Sequence, residues 1–295
     1  MIDDGVERDV RPGRTVETSI VRYDGSRGTR AYDSVVTEEP LELRLVAAAT
    51  THTLAITMRT PGNDFELAAG FVSGEGIIRA REEIVGVSYC VDPQIDAEQR
   101  YNIVNIELAS STLPDLTRFE RHFTMNSSCG VCGRANLEAL ADLGVEPLRD
   151  DTRVPIAHIY ELPERMRAAQ RVFAMTGGLH AAALFDAKGA TLAVREDVGR
   201  HNAVDKLLGE AFLQDATPLR NHLLLLSGRA SFELLQKAVM GGIPMVAAIG
   251  APSSLAIEVA REFSITLVGF LRPESFNIYS APERVLGLNG TPYHC

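Results

Sequence analysis

The sequence predicts a two-domain α/β protein, a small N-terminal α+β domain followed by a C-terminal α/β domain. Three observations predict it. Between residues 181 and 270, short and nearly continuous apolar runs (222–226, 244–249, 266–270) alternate with amphipathic stretches at helical spacing (201–212, 231–240, 254–263). That is the pattern of strands buried on both faces and covered by helices. Between residues 41 and 108, strand-like runs instead surround one short helical stretch. The chain has 295 residues, 45% of them hydrophobic, enough for two units of about 100–150 residues, each with its own core.

In order along the chain, residues 1–34 read as a polar tail rich in Arg, Asp and Gly, with one short strand at 18–23. The N-terminal domain covers 35–120. Runs at 41–47 and 54–59 flank a polar turn at Thr50, Thr51 and His52, the signal of a hairpin. Pro61, Gly62 and Asn63 form a turn, after which Asp64 is placed to cap a helix whose apolar face is Phe65, Leu67, Ala68 and Phe71. Gly74 and Gly76 end it, and strands follow at 84–91 and 101–108. Residues 121–165 read as a cysteine loop and linker helices, with helices expected at 134–143 and 162–170. The C-terminal domain, 166–295, opens with a hairpin: strands 181–185 and 191–195 around Asp186, Ala187, Lys188 and Gly189. The helix–strand alternation above completes it.

Charge and composition exclude several function classes. A net charge of −10 argues against general nucleic-acid or membrane-surface binding, although local basic patches are compatible with it. No apolar run approaches the ~18 residues of a membrane span. Residues 1–20 carry no apolar secretory core, so a cytoplasmic protein is expected. Four cysteines in this length do not make a disulfide scaffold, and a spaced pair in such a setting points to redox, metal or catalytic chemistry.

That pair is Cys129 and Cys132, set among Ser127, Ser128, Gly130 and Gly133. Small neighbours leave sulfur uncovered, and a thiolate there can accept a sulfur atom and pass it on, because a persulfide S–S bond breaks by thiol attack. Half a zinc site, a redox dithiol and incidental thiols remain open at this point. Zinc lacks a second pair at matching spacing, since Cys90, His122, His294 and Cys295 are scattered. A zinc deaminase lacks its His-x-Glu and its proline before the cysteines. Elsewhere, Thr176, Gly177, Gly178, Leu179 and His180 form a glycine-containing approach to a strand. Asp197, Arg200, His201, Asp205 and Lys206 crowd a strand-to-helix turn, where arginine, lysine and a helix N-terminus suit an anionic ligand. Ser227, Gly228, Arg229 and Ser231 follow one buried strand, and Gly250, Pro252, Ser253 and Ser254 follow the next. Such turns at the carboxyl edge of parallel strands bind phosphate-bearing ligands, or simply cap helices through Ser231 and Ser254.

Taken together, Cys129–Gly130–Val131–Cys132–Gly133, the Glu196-to-His201 motif with Asp205 to Gly209, Ser227 to Ser231, and Leu267 to Phe270 occur in one order. The chain resembles the formate dehydrogenase accessory sulfurtransferases, the FdhD family, over roughly residues 35–285. The resemblance implies a cytidine-deaminase-like C-terminal domain with a mixed sheet, and a homodimer. It implies a sulfurtransferase that takes persulfide sulfur from a cysteine desulfurase and delivers it to the molybdenum (or tungsten) bis-guanine-dinucleotide cofactor of formate dehydrogenase. That cofactor, Mo-bis(molybdopterin guanine dinucleotide), would be a bound substrate. Cys129 matches the persulfide-bearing cysteine and Cys132 its partner. Phe270, Leu271, Arg272, Pro273, Glu274 and Ser275 match the cofactor-binding stretch, although Glu274 and Ser275 stand where relatives can carry glycine and a basic residue. With His180, Asp197, Arg200, His201, Lys206, Ser227 and Arg229 they make up the expected cofactor site, with no resident metal. The rival readings are a CxxC zinc or thiol-redox protein, and a cofactor-binding chaperone that carries no sulfur.

Overall fold

A computed structural model describes residues 11–117, 140 and 144–292. The expected helix at 134–143 falls, apart from Leu140, outside the described residues, as do Cys129 and Cys132.

Residues assigned to the polar tail form a long hairpin instead, β1 (Thr15–Asp24) and β2 (Arg27–Val36), antiparallel throughout. Only the short strand at 18–23, inside β1, was expected; polar composition hid the rest, because nearly every side chain is exposed and no buried face produces an alternating pattern. The N-terminal sheet follows: β3 (Glu39–Ala47), β4 (Thr50–Arg59), β5 (Ile84–Tyr89) and β6 (Ile103–Leu108), in the order β4-β3-β6-β5. On β3, Leu41, Leu43, Leu45 and Ala47 alternate inward and are fully buried. They meet α1 (Asp64–Gly74) through Leu67, Ala68 and Val72. Asp64 does not cap α1. Asn63 occupies that position with φ 59°, and the Asp64 carboxylate accepts from Arg59 and from the Tyr89 hydroxyl at 3.0–3.2 Å. A short helix, α2 (Ala97–Arg100), precedes β6.

The second body is a six-stranded mixed sheet. Its strands are β8 (His180–Asp186), β9 (Thr191–Asp197), β10 (His222–Leu226), β11 (Met245–Ala248), β12 (Thr266–Arg272) and β13 (Ser275–Ser280), in the order β13-β12-β11-β10-β8-β9. Strands β10, β11 and β12 are parallel; β8 and β13 run against their neighbours. One face packs on α5 (Arg200–Leu213), α6 (Phe232–Met240) and α7 (Ser254–Glu262), using Ala182, Leu224 and Val246. The alternate residues Ala181, Ala183, Leu223 and Leu225 face α3 (Ile156–Ala169). A second short helix, α4 (Arg171–Thr176), continues from α3. Of the serine caps expected, Ser253 rather than Ser254 caps α7, accepting from Ala256 N–H at 3.2 Å, while Ser231 precedes α6 without a side-chain cap bond.

The two bodies meet where α1 crosses α5. A methyl group added at Gly70 would overlap the Asp205 carbonyl oxygen, and one at Gly209 would overlap the Glu66 carbonyl oxygen. Glycine at both positions therefore lets the two backbones touch. Residues 144–155 belong with the second body: β7 (Val154–Pro155) pairs with β14 (Val285–Leu286), and Leu148 N–H donates to Phe263 O at 3.0 Å.

Candidate functional site

One edge of the six-stranded sheet gathers most of the residues that the sequence singles out. Because β8 runs antiparallel to β10, its first residue, His180, lies beside the carboxyl end of β10 at Leu226. The ends of β9, β11 and β12 reach the same edge. Backbone hydrogen bonds zip the turns together: Gly250 N–H to Gly228 O at 2.9 Å, Ala230 N–H to Ala251 O at 3.2 Å, and Phe270 N–H to Gly250 O at 3.0 Å. Gly250 is needed there, since an added methyl would sit 2.9 Å from Gly228 O and 3.0 Å from Arg229 Cγ. Ser227 completes the pairing with β8, its Oγ accepting from Ala181 N–H at 2.8 Å.

Beside this edge is a cavity of about 600 Å³, bordered by Arg167, Gln170 and Phe173 from α3 and α4, by Gly177, Gly178 and His180, and by Ser227 and Ile249. The volume suits a small organic ligand. Burial, then the charges of Arg200 and His201, hold the His180 imidazole below the ordinary histidine range, favouring its neutral form. The Arg200 Nε is buried with no hydrogen-bond partner among the described residues.

The expected cofactor stretch is a β-hairpin. Phe270 to Arg272 end β12, Pro273 and Glu274 form the turn, and Ser275 starts β13. The polar tip and the backbone irregularity between Gly269 and Arg272 hid β13 from a pattern reading. Phe270 is exposed, with φ 53°, while Leu271 is buried in the core. Arg272 folds back, Nη1 donating to Ile249 O and Leu271 O at 2.8 Å. Pro273, Glu274 and Ser275 are exposed. Leu271 thus offers a ligand no side-chain surface, and Arg272 is tied to the edge beside the cavity.

The crowded motif after β9 divides. Lys206 and Asp197 are fully buried and paired, Nζ to Oδ2 at 2.7 Å, and Lys206 also donates to Thr60 O at 2.7 Å. Asp197 accepts further from Thr60 N–H, Gly199 N–H and Asn202 Nδ2. These two residues, read from the sequence as ligand contacts, instead join the N-terminal sheet to α5. Burial pushes the Lys206 ammonium below the ordinary lysine range against the pull of Asp197. Glu196, also buried, accepts from Val172 N–H at 3.1 Å and Phe173 N–H at 2.8 Å, and so caps α4 from a distant strand.

His201 faces a different cavity, of about 450 Å³, bordered by Glu38, Glu75, Asp205, Glu233 and Lys237. Val198 borders both cavities. His201 Nε2 lies 3.4 Å from Ser231 Oγ and 3.8 Å from Glu233 Oε2. Both neighbours address one ring nitrogen, so this is not a nucleophile–base–orienter chain, which needs a partner on each nitrogen. Lys237 bonds Asp205 at 2.8 Å and Glu75 at 3.1 Å. Burial alone would lower its ammonium, but the two carboxylates raise it above the ordinary lysine range. Burial raises the Asp205 carboxyl in turn, as expected where two acids share one lysine.

Gln170, Arg167 and Phe173 were not legible as site residues. The signal available was the break in helical period at Gln170, ahead of the glycine pair at 177–178. Among the described residues, no group of three His, Cys, Asp or Glu side chains is placed to hold a metal ion, and no helix is long and apolar enough to cross a membrane.

The chain was compared with known proteins. A model of the FdhD/NarQ family matches residues 36–286. A Streptomyces coelicolor protein named sulfur carrier protein FdhD is 50% identical over 278 residues, covering 92% of this chain and 96% of its own. A protein of the same name from Mycolicibacterium paratuberculosis is 51% identical over 254 residues, covering 86% and 92%. A protein assigned as a formate dehydrogenase accessory protein from Desulfotalea psychrophila, known from its crystal structure, superposes with a TM-score of 0.71 at 26% identity, covering 93% of this chain and 100% of that one.

Proposed function

The chain belongs to the FdhD/NarQ family, and from that premise we propose that it carries persulfide sulfur from a cysteine desulfurase to the molybdenum (or tungsten) bis-guanine-dinucleotide cofactor of formate dehydrogenase. Cys129 is the acceptor. Its thiolate attacks the terminal sulfur of the donor's persulfide, the donor's S–S bond breaks, and the donor cysteine leaves as thiolate, with no net oxidation. Cys132 then attacks Cys129 Sγ. The product is a Cys129–Cys132 disulfide plus HS⁻, so the thiol pair supplies the two electrons that make sulfide. The chemistry belongs in a reducing cytoplasm, where free thiols persist, and the protein works as a homodimer.

The observation that carries this reading is the convergence of His180, Ser227 and Ile249, with Arg272 tied to Ile249 O, around a cavity of about 600 Å³ at the sheet edge. The edge supplies what a bulky phosphate-bearing cofactor needs: polar turns at strand ends, an imidazole whose neutral form is favoured, and arginines at positions 167, 200 and 272 beside or near the opening. Cofactor binding there leaves sulfur delivery to the cysteine pair.

The test is intact-mass analysis after incubation with a desulfurase and cysteine. The expected result is an adduct of about 32 Da, one sulfur atom, lost in Cys129→Ala. Cys129→Ala should also abolish formate dehydrogenase activation while the cofactor still binds. Activation that survives the substitution would favour a chaperone that shelters the cofactor without carrying sulfur. A protein isolated with about one zinc per chain would favour a metal site.

A further inference from the structure

Gln170 stands at the junction of α3 and α4, is 4% exposed, and borders the cavity of about 600 Å³. Its main chain is satisfied: its N–H donates to Arg167 O and its carbonyl accepts from Ala174 N–H, both at 3.2 Å. Among the described residues its carboxamide has no hydrogen-bond partner. A primary amide offers two donors and an acceptor in one plane, and the Gln170 amide is not among the enclosed unpaired side-chain groups of the described residues, so it reaches space open to a partner. A cavity beside it is where the missing partner would enter.

Gln170 is also held in place. The Glu196 carboxylate fixes the first turn of α4 through Val172 and Phe173. Phe173 forms a flat cavity wall, its ring covered by the Arg167 guanidinium at 3.9 Å. Gly177 and Gly178 line another side with no bulk of their own. A planar ring fits between such walls, with its polar edge turned to Gln170.

We propose that Gln170 is the specificity-determining residue of this cavity, pairing with the lactam edge of a planar amino-oxo heterocycle, the edge that guanine and pterin rings share. The carboxamide oxygen accepts from the ring N–H, and the carboxamide NH₂ donates to the ring carbonyl. Two antiparallel hydrogen bonds then satisfy both amides. The inference rests on the reading of this sheet edge as the cofactor site, and it names the residue that reads the ring.

The two sources of that edge are separated by titrating the full-length protein calorimetrically with GDP and, in parallel, with 6-hydroxymethylpterin. Gln170→Leu keeps the volume and removes both hydrogen bonds. The ring that occupies the cavity should bind the wild type and lose about ten- to hundredfold affinity in Gln170→Leu, the scale of one bidentate pair. The probe that shows this loss identifies the ring. A second readout needs no variant: in the wild type, the Gln170 side-chain ¹⁵N–¹H₂ resonances should shift on titration with that probe. Equal affinity in wild type and variant, with unmoved side-chain resonances, would overturn the role of Gln170 and leave the edge as a cofactor site. Failure of the wild type to bind either probe would overturn both.

Discussion

Two cavities border Val198, and they are built on opposite principles. The one facing α6 is crossed by buried ion pairs: Lys237 with Asp205 and Glu75, and the Lys206–Asp197 pair close behind, with Thr60 and Asn202 drawn in. The one at the sheet edge has walls of Phe173, Ile249, Gly177 and Gly178, and its polar groups are few: Arg167 stacked on Phe173, a histidine whose neutral form is favoured, a serine bonded to the backbone, and a carboxamide without a partner among the described residues. Buried charges are expensive unless partnered, so the first set has been consumed in joining two bodies. Polar groups without partners are what a ligand can use, so the second cavity is the one to test for binding. Density of charged residues in the sequence is therefore a poor guide to which side of Val198 is open to a ligand.

The sharpest way to break this contrast is to remove Lys206. If Lys206 is structural, Lys206→Met leaves Asp197 buried without its cation and should destabilise the fold by about 3–5 kcal/mol, read by urea unfolding. Asp197→Asn in the same chain should return part of that loss. A stable Lys206→Met protein with weakened GDP binding would put Lys206 back among the ligand contacts. Next in size is the glycine crossing. Gly70→Ala or Gly209→Ala forces α1 off α5 and should cost about 1–3 kcal/mol or somewhat more. Because that crossing backs the charged cavity, neither substitution should change affinity at the sheet edge once the protein is folded.

Apart from β13, the short α4 and the first turns of α3, the strands and helices of the second body were legible because each carries a buried pattern. The apolar run at 222–226 is β10 to the residue, and the helix expected at 201–212 differs from α5 by one residue at either end. Of the β1–β2 hairpin only the short strand at 18–23 was legible, because among the described residues most of its side chains are exposed and little periodicity is imposed. At the site, His180 and Ser227 were readable from their place at strand ends, which topology alone brings together. Lys206 and Asp197 were misread because the same charged pattern serves a solvated ligand or a buried joint, and only the packing of Thr60 against α5 decides between them. Gln170 was missed because a polar residue at a helix break looks like any other until the cavity beside it is seen.

A smaller effect should come from Ser227→Ala, which removes the acceptor of Ala181 N–H while the reciprocal bond, Ser227 N–H to Ala181 O at 3.0 Å, remains. The expected loss is about 1 kcal/mol, measured by thermal or urea unfolding. A loss as large as that of Lys206→Met would mean that the sheet edge is as interlocked as the charged cavity, and the contrast would fail.

The smallest effect belongs to Glu233 and is separable by pH. Its carboxyl is pulled down to about 2, first by the His201 ring 3.8 Å away and against its own partial burial. A carboxyl lowered in the folded state adds stability that is complete above its unfolded value, near 4.5, and disappears as pH falls toward 2. The side chain is 59% exposed, so solvent screening limits the contribution to less than about 1 kcal/mol. Glu233→Gln should therefore be slightly less stable than wild type at pH 5, where His201 can carry its proton, with the two unfolding curves converging between pH 4.5 and 2. Added salt should narrow the gap at pH 5, because an exposed pair is screened. A gap that stays constant down to pH 2 would mean that Glu233 acts through packing at the start of α6, and that the charged cavity owes nothing at its rim to electrostatics.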